Sequence, residues 1–363
     1  MERRRRTRRD KSLNAMTRGT VAVGFRGTAL RRTPHDRAGF VGAYAVAVSG
    51  GADESVEPRL FGVLVTHRRP EELEQHLACL CRQTRSLDHI VVVDNAPAPA
   101  NERSVEAYRT HAPAEYVASA QNLGPAGGIA RGLRETLKRA ADRDWVVLLD
   151  DDNPPSTEDT LERVFDLVCA SQDDLRVGAV GLTGSRFDWR RARFLRLRDE
   201  ELEGVIDVDW IGGNQFPMVR VAAVRDIGVF REELFWGLEE LDFGLRMRSH
   251  GYRILVSGDL VRWARTLHGR LGMGQPRASV TTTRIPWRQY YILRNMIDIL
   301  RRNGHPWAAL RVAATRGIGK SVVQAVRSPR LALSGGRLTI RAIVDGWRGR
   351  LGRSLEPGTP VAE

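Results

Sequence analysis

The 363-residue sequence is poor in cysteine and has no long apolar run. Its three cysteines, Cys79, Cys81 and Cys169, lack the spacing of metal ligands or of paired disulfides, so we expect buried thiols in a reducing cytoplasm. No stretch reaches the ~20 apolar residues that span a bilayer. The arginine-rich start also lacks the apolar core and cleavage site of a signal peptide. These absences predict a cytoplasmic protein, with any membrane contact peripheral and at the inner face.

The net charge of +13 is concentrated at the two ends of the chain. Residues 1–37 hold 12 Lys or Arg against 3 acids, and residues 284–363 hold 15 against 4. By subtraction, residues 38–283 carry 30 basic and 37 acidic residues, a net charge of −7. Since nucleic acid attracts basic surfaces, this distribution argues against a nucleic acid partner for the middle of the chain. Residues 1–57 show no sustained periodicity and are expected to form a disordered basic extension.

From residue 58 onward, apolar runs alternate with amphipathic segments. Val-rich runs at 61–65, 90–93 and 145–149, with a shorter run at 116–118, are typical of buried strands. Helices are expected to begin at Pro70 and Gly127, and further strand-like runs lie at 252–256 and 260–263. The alternation predicts an α/β fold with a mostly parallel, Rossmann-like central sheet flanked by helices.

The apolar run at 145–149 ends in three consecutive acids, Asp150, Asp151 and Asp152. Carboxylates this close repel one another unless a cation lies among them, and their hard oxygens suit Mg²⁺ or Mn²⁺. Open α/β sheets also bind ligands at the carboxyl ends of their strands. The alternative is a solvated acidic turn that caps a helix beginning near residue 156. The triplet alone leaves both interpretations open.

Other polar residues follow neighbouring strands. Thr66 and Asp94 each end a strand, so a parallel sheet would gather them at the edge that carries the acid triplet. For Asp94, the alternative is an acid that ends a strand and caps a turn. The loop from Asn122 to Gly128 joins a strand to a helix, and its glycines would let the backbone approach a phosphate or a sugar.

Taken in order, these segments resemble the nucleotide-sugar half of a family 2 glycosyltransferase with the GT-A fold, of the rhamnosyl- and galactofuranosyltransferase kind. The similarity covers roughly residues 58–300 and rests on Thr66-His67-Arg68, Asp94-Asn95, Asn122-Leu123-Gly124, Asp150-Asp151-Asp152, Trp210-Ile211-Gly212-Gly213-Asn214, Glu239-Glu240-Leu241-Asp242, His268 and Tyr290-Tyr291-Ile292-Leu293-Arg294-Asn295. It implies a nucleotide-sugar half at about 58–155 and an acceptor half at about 156–283. A basic helical region, 284–363, follows them.

The resemblance implies metal-dependent, inverting transfer of a sugar from a UDP- or dTDP-sugar to a hydroxyl of a glycan, a lipid-linked acceptor or a secondary metabolite. The nucleotide sugar would contact Thr66, His67, Arg68, Asp94, Asn122, Gly124, Gly128, Asp150 and Asp151. The ion, Mg²⁺ or Mn²⁺, would be held by Asp150, Asp152 and His268. The sugar or the acceptor would contact Trp210, Gly213, Asn214 and Trp236. For His268, a structural role is the alternative.

An inverting transfer also needs a base for the attacking hydroxyl, and the resemblance points to Glu240. Similar enzymes usually carry Asp at this position, so Glu239 and Asp242 remain candidates. Residues 239 and 242 are three apart and share one helix face, whereas 240 points elsewhere. The alternative is an exposed acidic helix start that is favourable to the helix dipole.

Segments 287–302, 307–326 and 338–351 have helical spacing with arginines between apolar residues. Such helices can rest on anionic lipid, or they can pack against the catalytic domain or against another subunit of a homo-oligomer. Two other functions also stay open. A sugar nucleotidyltransferase is disfavoured because no Gly-rich signature with a following basic residue lies near the first strand. A non-catalytic glycan- or nucleic-acid-binding protein is suggested by the basic ends alone.

Overall fold

A computed structural model describes residues 57–274, 286–319 and 329–356. The predicted basic extension lies outside these residues, apart from Glu57. Within them strands and helices alternate up to residue 170. Shorter strands and further helices follow, and the described residues after 285 are mostly helical.

One eight-stranded sheet runs through the middle of the protein in the order β3-β2-β1-β4-β9-β5-β10-β8. All its strands except β9 and β8 run parallel to one another. The predicted mostly parallel sheet is therefore confirmed. The strands are β1 (Leu60–Thr66), β2 (His89–Asp94), β3 (Ala114–Ala118), β4 (Trp145–Asp150), β5 (Val177–Val180), β8 (Val205–Val208), β9 (Met218–Arg220) and β10 (Arg253–Ser257), and a separate hairpin joins β6 (Ser185–Asp188) to β7 (Arg193–Arg196).

Helices cover both faces of this sheet, as the Val-rich strands require, because strands apolar on both sides must be shielded from water on both sides. Two large apolar clusters, one on each face, contain the buried side chains of β1 and β4. The helices are α1 (Pro70–Leu80), α2 (Pro99–Tyr108), α3 (Gly124–Leu137), α4 (Thr160–Ala170), α5 (Val221–Ile227), α6 (Glu239–Ser249), α7 (Gly258–Leu267), α8 (Pro286–Arg302), α9 (Pro306–Val312) and α10 (Pro329–Arg348).

The strand register decides which residues meet at the carboxyl edge of the sheet. Thr66 of β1 pairs with Asp94 of β2, and Val65 pairs with Asp150 of β4. The three strands therefore end at the same level. The gathering of Thr66, Asp94 and the acid triplet at one edge, which the sequence predicted, is confirmed.

Two local predictions are wrong. Residues 260–263, expected as a strand, lie in α7, because the hydroxyl of Ser257 accepts a hydrogen bond from the Leu260 amide and caps that helix at its N-terminus. The cysteines were expected to be buried, but Cys169 is exposed and Cys79 and Cys81 are only half-buried. All three are free thiols.

The C-terminal helices pack against the α/β part of the chain. Arg231, which precedes α6, donates hydrogen bonds to Asp242 of α6 (2.9 Å) and to Asp298 of α8 (2.8 Å). Both carboxylates are almost completely buried. A buried charge left without its partner is costly. This ion network therefore fixes α8 beside α6.

The described helices include none that is both long enough and apolar enough to cross a membrane.

Candidate active site

A cavity of about 620 Å³ opens at the carboxyl edge of β1, β2 and β4. Its walls come from the ends of these strands, the loop before α3, the segment before α6 and the first turn of α8. The lining residues are Val65, Thr66, His67, Arg69, Asn95, Asn122, Gly124, Pro125, Asp150, Asp151, Asp152, Phe235, Trp236, Gly237, Glu239, Glu240, Trp287 and Arg288. The structure thus brings the acid triplet and the Glu239-Glu240 pair, about 90 residues apart in sequence, into one space.

Two members of the acid triplet are paired with an arginine. Asp151 accepts hydrogen bonds from the Thr66 hydroxyl (2.8 Å) and from the Arg69 guanidinium (3.0 Å). Arg69 also forms an ion pair with Asp152, whose side chain is 55% exposed. The resemblance pointed to Arg68, but Arg68 is exposed, has a φ of 58° and does not line the cavity. The neighbouring Arg69 is the residue that faces the acids.

Asp150 has no such partner and instead faces Glu240. A side-chain carbon built on Gly213 would lie 2.7 Å from Asp150 Oδ2 and 3.1 Å from Glu240 Oε1, so both carboxylates converge on this glycine. Burial, followed by the charges of Glu240, Asp152 and Asp151, raises the pKa of Asp150 to about 7. The Gly213 amide donates to Glu240 Oε1 (3.2 Å). Gly213 is therefore needed because a side chain there would collide with both acids.

The structure distinguishes the three candidate bases by their positions relative to the cavity. Glu239 and Glu240 line the cavity, and burial raises the pKa of each carboxyl, most strongly that of Glu239. Glu239 Oε2 is buried without a hydrogen-bond partner. Asp242 lies outside the cavity and pairs with Arg231 and Arg246. The sequence argument that grouped 239 with 242 is wrong, since the first turn of α6 directs Glu239 and Glu240 toward the cavity.

Part of the predicted loop from Asn122 to Gly128 lines the cavity, but α3 begins at Gly124 rather than at Gly127, so most of that loop belongs to the start of the helix. Asn122 lines the cavity, and its Oδ1 accepts from the Gly124 amide (2.8 Å). Gly124 has a φ of +67°, and a side-chain carbon there would lie 2.1 Å from the Phe235 carbonyl oxygen. His67 also lines the cavity. Gly128 does not, since it lets α3 pack directly against Val65 of β1.

Asp94 is used inside the protein. It is fully buried and accepts hydrogen bonds from the Ala96 amide (2.9 Å), the Asn101 side chain (2.7 Å) and the Tyr116 hydroxyl (2.7 Å). It does not line the cavity, so its geometry matches the turn-capping alternative. The next residue, Asn95, reaches the cavity instead.

Aromatic side chains form part of the cavity wall. Trp236 lines the cavity and packs edge-on against Trp287, with ring centroids 5.0 Å apart. The guanidinium of Arg288 lies 5.2 Å from the centroid of each ring. Trp287 and Arg288 were missed from the sequence because they lie far from the other site residues along the chain. Only the Trp-Arg pair at the start of a predicted helix could have indicated them.

The remaining predicted residues lie away from this space. Trp210 packs against Phe194, with ring centroids 4.3 Å apart, and does not line the cavity. Asn214, four residues after Trp210, is exposed. His268 is exposed at the C-terminal end of α7, and it is not among the lining residues.

The cavity offers oxygen ligands of the kind that Mg²⁺ and Mn²⁺ prefer. In the part of the chain that the structure describes, no group of three or more His, Cys, Asp or Glu side chains is arranged to hold a metal ion. Burial, followed by the charges of Glu240, Asp152 and Asp151, raises the pKa of Asp150, and a cation beside this carboxylate would favour its charged form. The donor set of Asp150 and Asp152 therefore fits a hard cation, whereas His268 is not placed to join it.

Comparison with known proteins places this cavity in a wider context. Residues 63–226 match the family model described as Glycosyl transferase family 2. The chain is 32% identical over 209 residues to the galactofuranosyltransferase GlfT1 of Mycobacterium tuberculosis, covering 53% of this chain and 65% of that relative. It is 39% identical over 113 residues to GlfT1 of Mycolicibacterium smegmatis, covering 31% of this chain and 35% of that relative. The match thus spans less than two thirds of the length of these relatives.

Solved structures with a similar fold include a mannosyltransferase from Pyrobaculum calidifontis in complex with GDP-Man and Mn²⁺. It is 18% identical, covers 82% of this chain and 89% of that chain, and has a TM-score of 0.45. Another is S. aureus TarS 1–349 in complex with UDP-GlcNAc, 14% identical, covering 79% of this chain and 81% of that chain, with a TM-score of 0.49.

The raised pKa of Asp150 makes a prediction for the metal-free protein. Above pH 7 the buried carboxylate is charged at a cost, whereas below the ordinary pKa of 3.8 the carboxyl is protonated in both the folded and the unfolded chain. In EDTA at pH 8, Asp150→Asn should raise the free energy of unfolding by about 1–4 kcal/mol, since one pKa unit corresponds to about 1.4 kcal/mol. The gain should shrink toward zero as the pH approaches 4.

Denaturant unfolding at several pH values measures this difference. Asp173→Asn is the matched control, because Asp173 is exposed on the protein surface. An Asp150→Asn gain that is equal at pH 8 and pH 4 would contradict the explanation.

Proposed function

We propose that this chain, whose residues 63–226 belong to glycosyl transferase family 2, transfers a sugar from a nucleotide diphosphate donor to a hydroxyl of an acceptor. The observation that carries the proposal is the meeting of two acidic groups, Asp150–Asp152 and Glu239–Glu240, in one cavity. Such a transfer needs positive charge at the leaving diphosphate and a base at the attacking hydroxyl. A divalent ion held by the acids on one side of the cavity would supply the positive charge, and an acid on the other side would serve as the base.

The donor is proposed to be a UDP- or dTDP-sugar. Because the relatives that the chain matches are named galactofuranosyltransferases, a galactofuranosyl donor is the first to test. The acceptor is proposed to be a hydroxyl of a glycan, of a lipid-linked saccharide or of a secondary metabolite. Asn95, Asn122 and His67 line the donor side of the cavity.

Glu240 is proposed as the base. Its Oε1 is fixed by the Gly213 amide, and burial raises its pKa toward the range in which a carboxylate accepts a proton efficiently near neutral pH. Attack would come from the face of the sugar opposite the leaving group, which inverts the anomeric centre. Burial raises the pKa of Glu239 well above its ordinary value, and its Oε2 has no hydrogen-bond partner, so Glu239 is proposed to contact a sugar hydroxyl.

The leaving diphosphate is proposed to meet two sources of positive charge. A divalent ion held by Asp150 and Asp152 would stabilise the charge that develops as the glycosidic bond breaks. Arg288 is the second source. Its Nε is buried without a partner, and no carboxylate among the described residues pairs with it, so its guanidinium is free to bind phosphate oxygens.

Two variants separate binding from chemistry. Glu240→Gln should leave the affinity for UDP within about twofold and lower turnover by about 10²–10⁴-fold, the usual contribution of a general base. Arg288→Ala should weaken UDP binding about 10-fold or more and leave uridine binding unchanged, as expected for lost charge-assisted hydrogen bonds. Calorimetry and a sugar-transfer assay provide the two measurements.

Glu232→Gln and Arg190→Ala are the matched controls, since both side chains are exposed outside the cavity. Full turnover by Glu240→Gln would remove that residue as the base. Absence of any transfer by the wild-type protein with every nucleotide sugar tested would overturn the proposed function.

The metal site is tested without an activity assay. Mn²⁺ should raise the melting temperature of the wild-type protein, because a ligand that binds only the folded state stabilises it. The shift should disappear in Asp152→Ala and persist in the control Asp173→Ala. An equal shift in both variants would place the ion elsewhere.

Peripheral contact with the inner face of a membrane is also proposed, through α9. This helix exposes Trp307 (81% exposed) and Leu310 (46% exposed) beside Arg311, a combination that suits the interface of an anionic bilayer. The double variant Trp307→Ala/Leu310→Ala should sediment less with anionic vesicles, whereas Leu175→Ala, which removes an exposed leucine elsewhere, should not. Equal sedimentation of wild type and double variant would exclude this helix.

A further inference from the structure

The segment that leads into α6 is held by two buried residues of α8. Asn295 Nδ2 lies within hydrogen-bonding distance of three backbone carbonyl oxygens, those of Leu234 (3.1 Å), Trp236 (3.1 Å) and Gly237 (2.8 Å). Arg294 Nη2 donates to the Leu234 carbonyl as well (2.9 Å). Both side chains have 0% exposure. One side-chain pair therefore lies within hydrogen-bonding distance of three of the five backbone carbonyl groups of residues 234–238.

This segment needs external support because its backbone is unusual. Phe235, Gly237 and Leu238 have φ values of 61°, 82° and 70°. For residues other than glycine such values cost of order 1–3 kcal/mol each and persist only where the surroundings enforce them. The next two residues are Glu239 and Glu240, so the backbone conformation of the segment decides where both carboxylates point.

The two α8 residues are themselves held in a defined orientation. Arg294 Nε donates to Asn295 Oδ1 (3.0 Å), which turns the amide so that its Nδ2 faces the carbonyl groups. The Arg294 guanidinium lies 4.7 Å from the ring centroid of Tyr291 and donates to the Gly352 carbonyl (2.7 Å). The pair therefore links the C-terminal segment, α8 and the catalytic segment.

On its opposite side, the segment contacts the first turn of α3. The Phe235 carbonyl oxygen accepts from the Ala126 amide (3.4 Å), and Gly124 lies directly beneath it. The segment is thus confined between the nucleotide-sugar side of the cavity and α8. Moving α8 would move the two catalytic candidates relative to the acid triplet.

We propose that Arg294 and Asn295 are positioning residues for the glycosyl transfer, which set Glu239 and Glu240 in the cavity through the backbone of residues 234–238. The inference rests on the proposed function. It makes the basic C-terminal helical region part of the catalytic unit, and it gives a role to the Tyr290–Asn295 motif, which has no role in binding the donor.

Asn295→Ala tests the proposal. It should lower kcat about 10–100-fold and change the donor KM less than threefold, since the donor-side residues of β1 and the α3 loop are untouched. The acid limb of the kcat pH profile should also shift, because Glu240 would lose its fixed geometry against the Gly213 amide and Asp150. Asn303→Ala is the control, since it removes a side-chain amide that donates to the Ile299 carbonyl (2.8 Å) just past the end of α8, without touching residues 234–238.

Asn295→Ser, which retains one donor, should fall between wild type and Asn295→Ala, and it replaces the alanine variant if that protein does not fold. The proposal is overturned if folded Asn295 variants keep wild-type kcat and pH profile, or if Asn303→Ala causes the same changes. An active wild-type protein with unaffected Asn295 variants would refute the positioning role alone. A wild-type protein without transfer activity would refute the proposed function.

Discussion

The main constraint on the structure is the free-energy cost of holding five carboxylates around one cavity. Asp150, Asp151, Asp152, Glu239 and Glu240 all line it, and the only arginine that pairs with any of them within the described residues is Arg69. Burial and mutual repulsion raise the pKa of Asp150 to about 7. A fold selected only for stability would not keep these charges together. Their arrangement therefore has to be enforced by the surrounding elements and relieved by a ligand.

The enforcement comes from two directions. On one side, the parallel register of β1, β2 and β4 ends the three strands at one level and so fixes the position of the acid triplet. On the other side, no sheet holds Glu239 and Glu240. They follow a segment with three positive φ values, which is held through backbone carbonyls by α8. The side of the cavity with the acid triplet is thus held by the sheet, whereas the side with Glu239 and Glu240 depends on helix packing.

This difference explains which features could be predicted from the sequence. Strands β1 to β4 and β10, the sheet class and the edge residues Thr66 and Asp150 follow from apolar periodicity and the rule for strand ends, which are local properties. For Asp94 the sequence left ligand binding and turn capping open, because its partners at Ala96, Ala98, Asn101 and Tyr116 meet it only when the turn folds back. The choice of Arg69 over Arg68 depends on a single positive φ that no pattern encodes. Trp287 and Arg288 reach the cavity only through tertiary packing.

The same reasoning bears on the role of the C-terminal region. Its positive charge first suggested a surface for lipid or nucleic acid, but the arginines of α8 divide by burial. Arg294 is fully buried and serves the backbone of residues 234–238, while Arg301 and Arg302 pair with the buried Asp298, which Arg231 also contacts. Each of these arginines therefore pairs with a buried group of the protein, although Arg301 and Arg302 stay partly exposed. Since Asp242 belongs to the same network through Arg231, the acid that sequence reasoning offered as a base serves to anchor α6, and the neighbouring Glu239 and Glu240 are left to face the cavity.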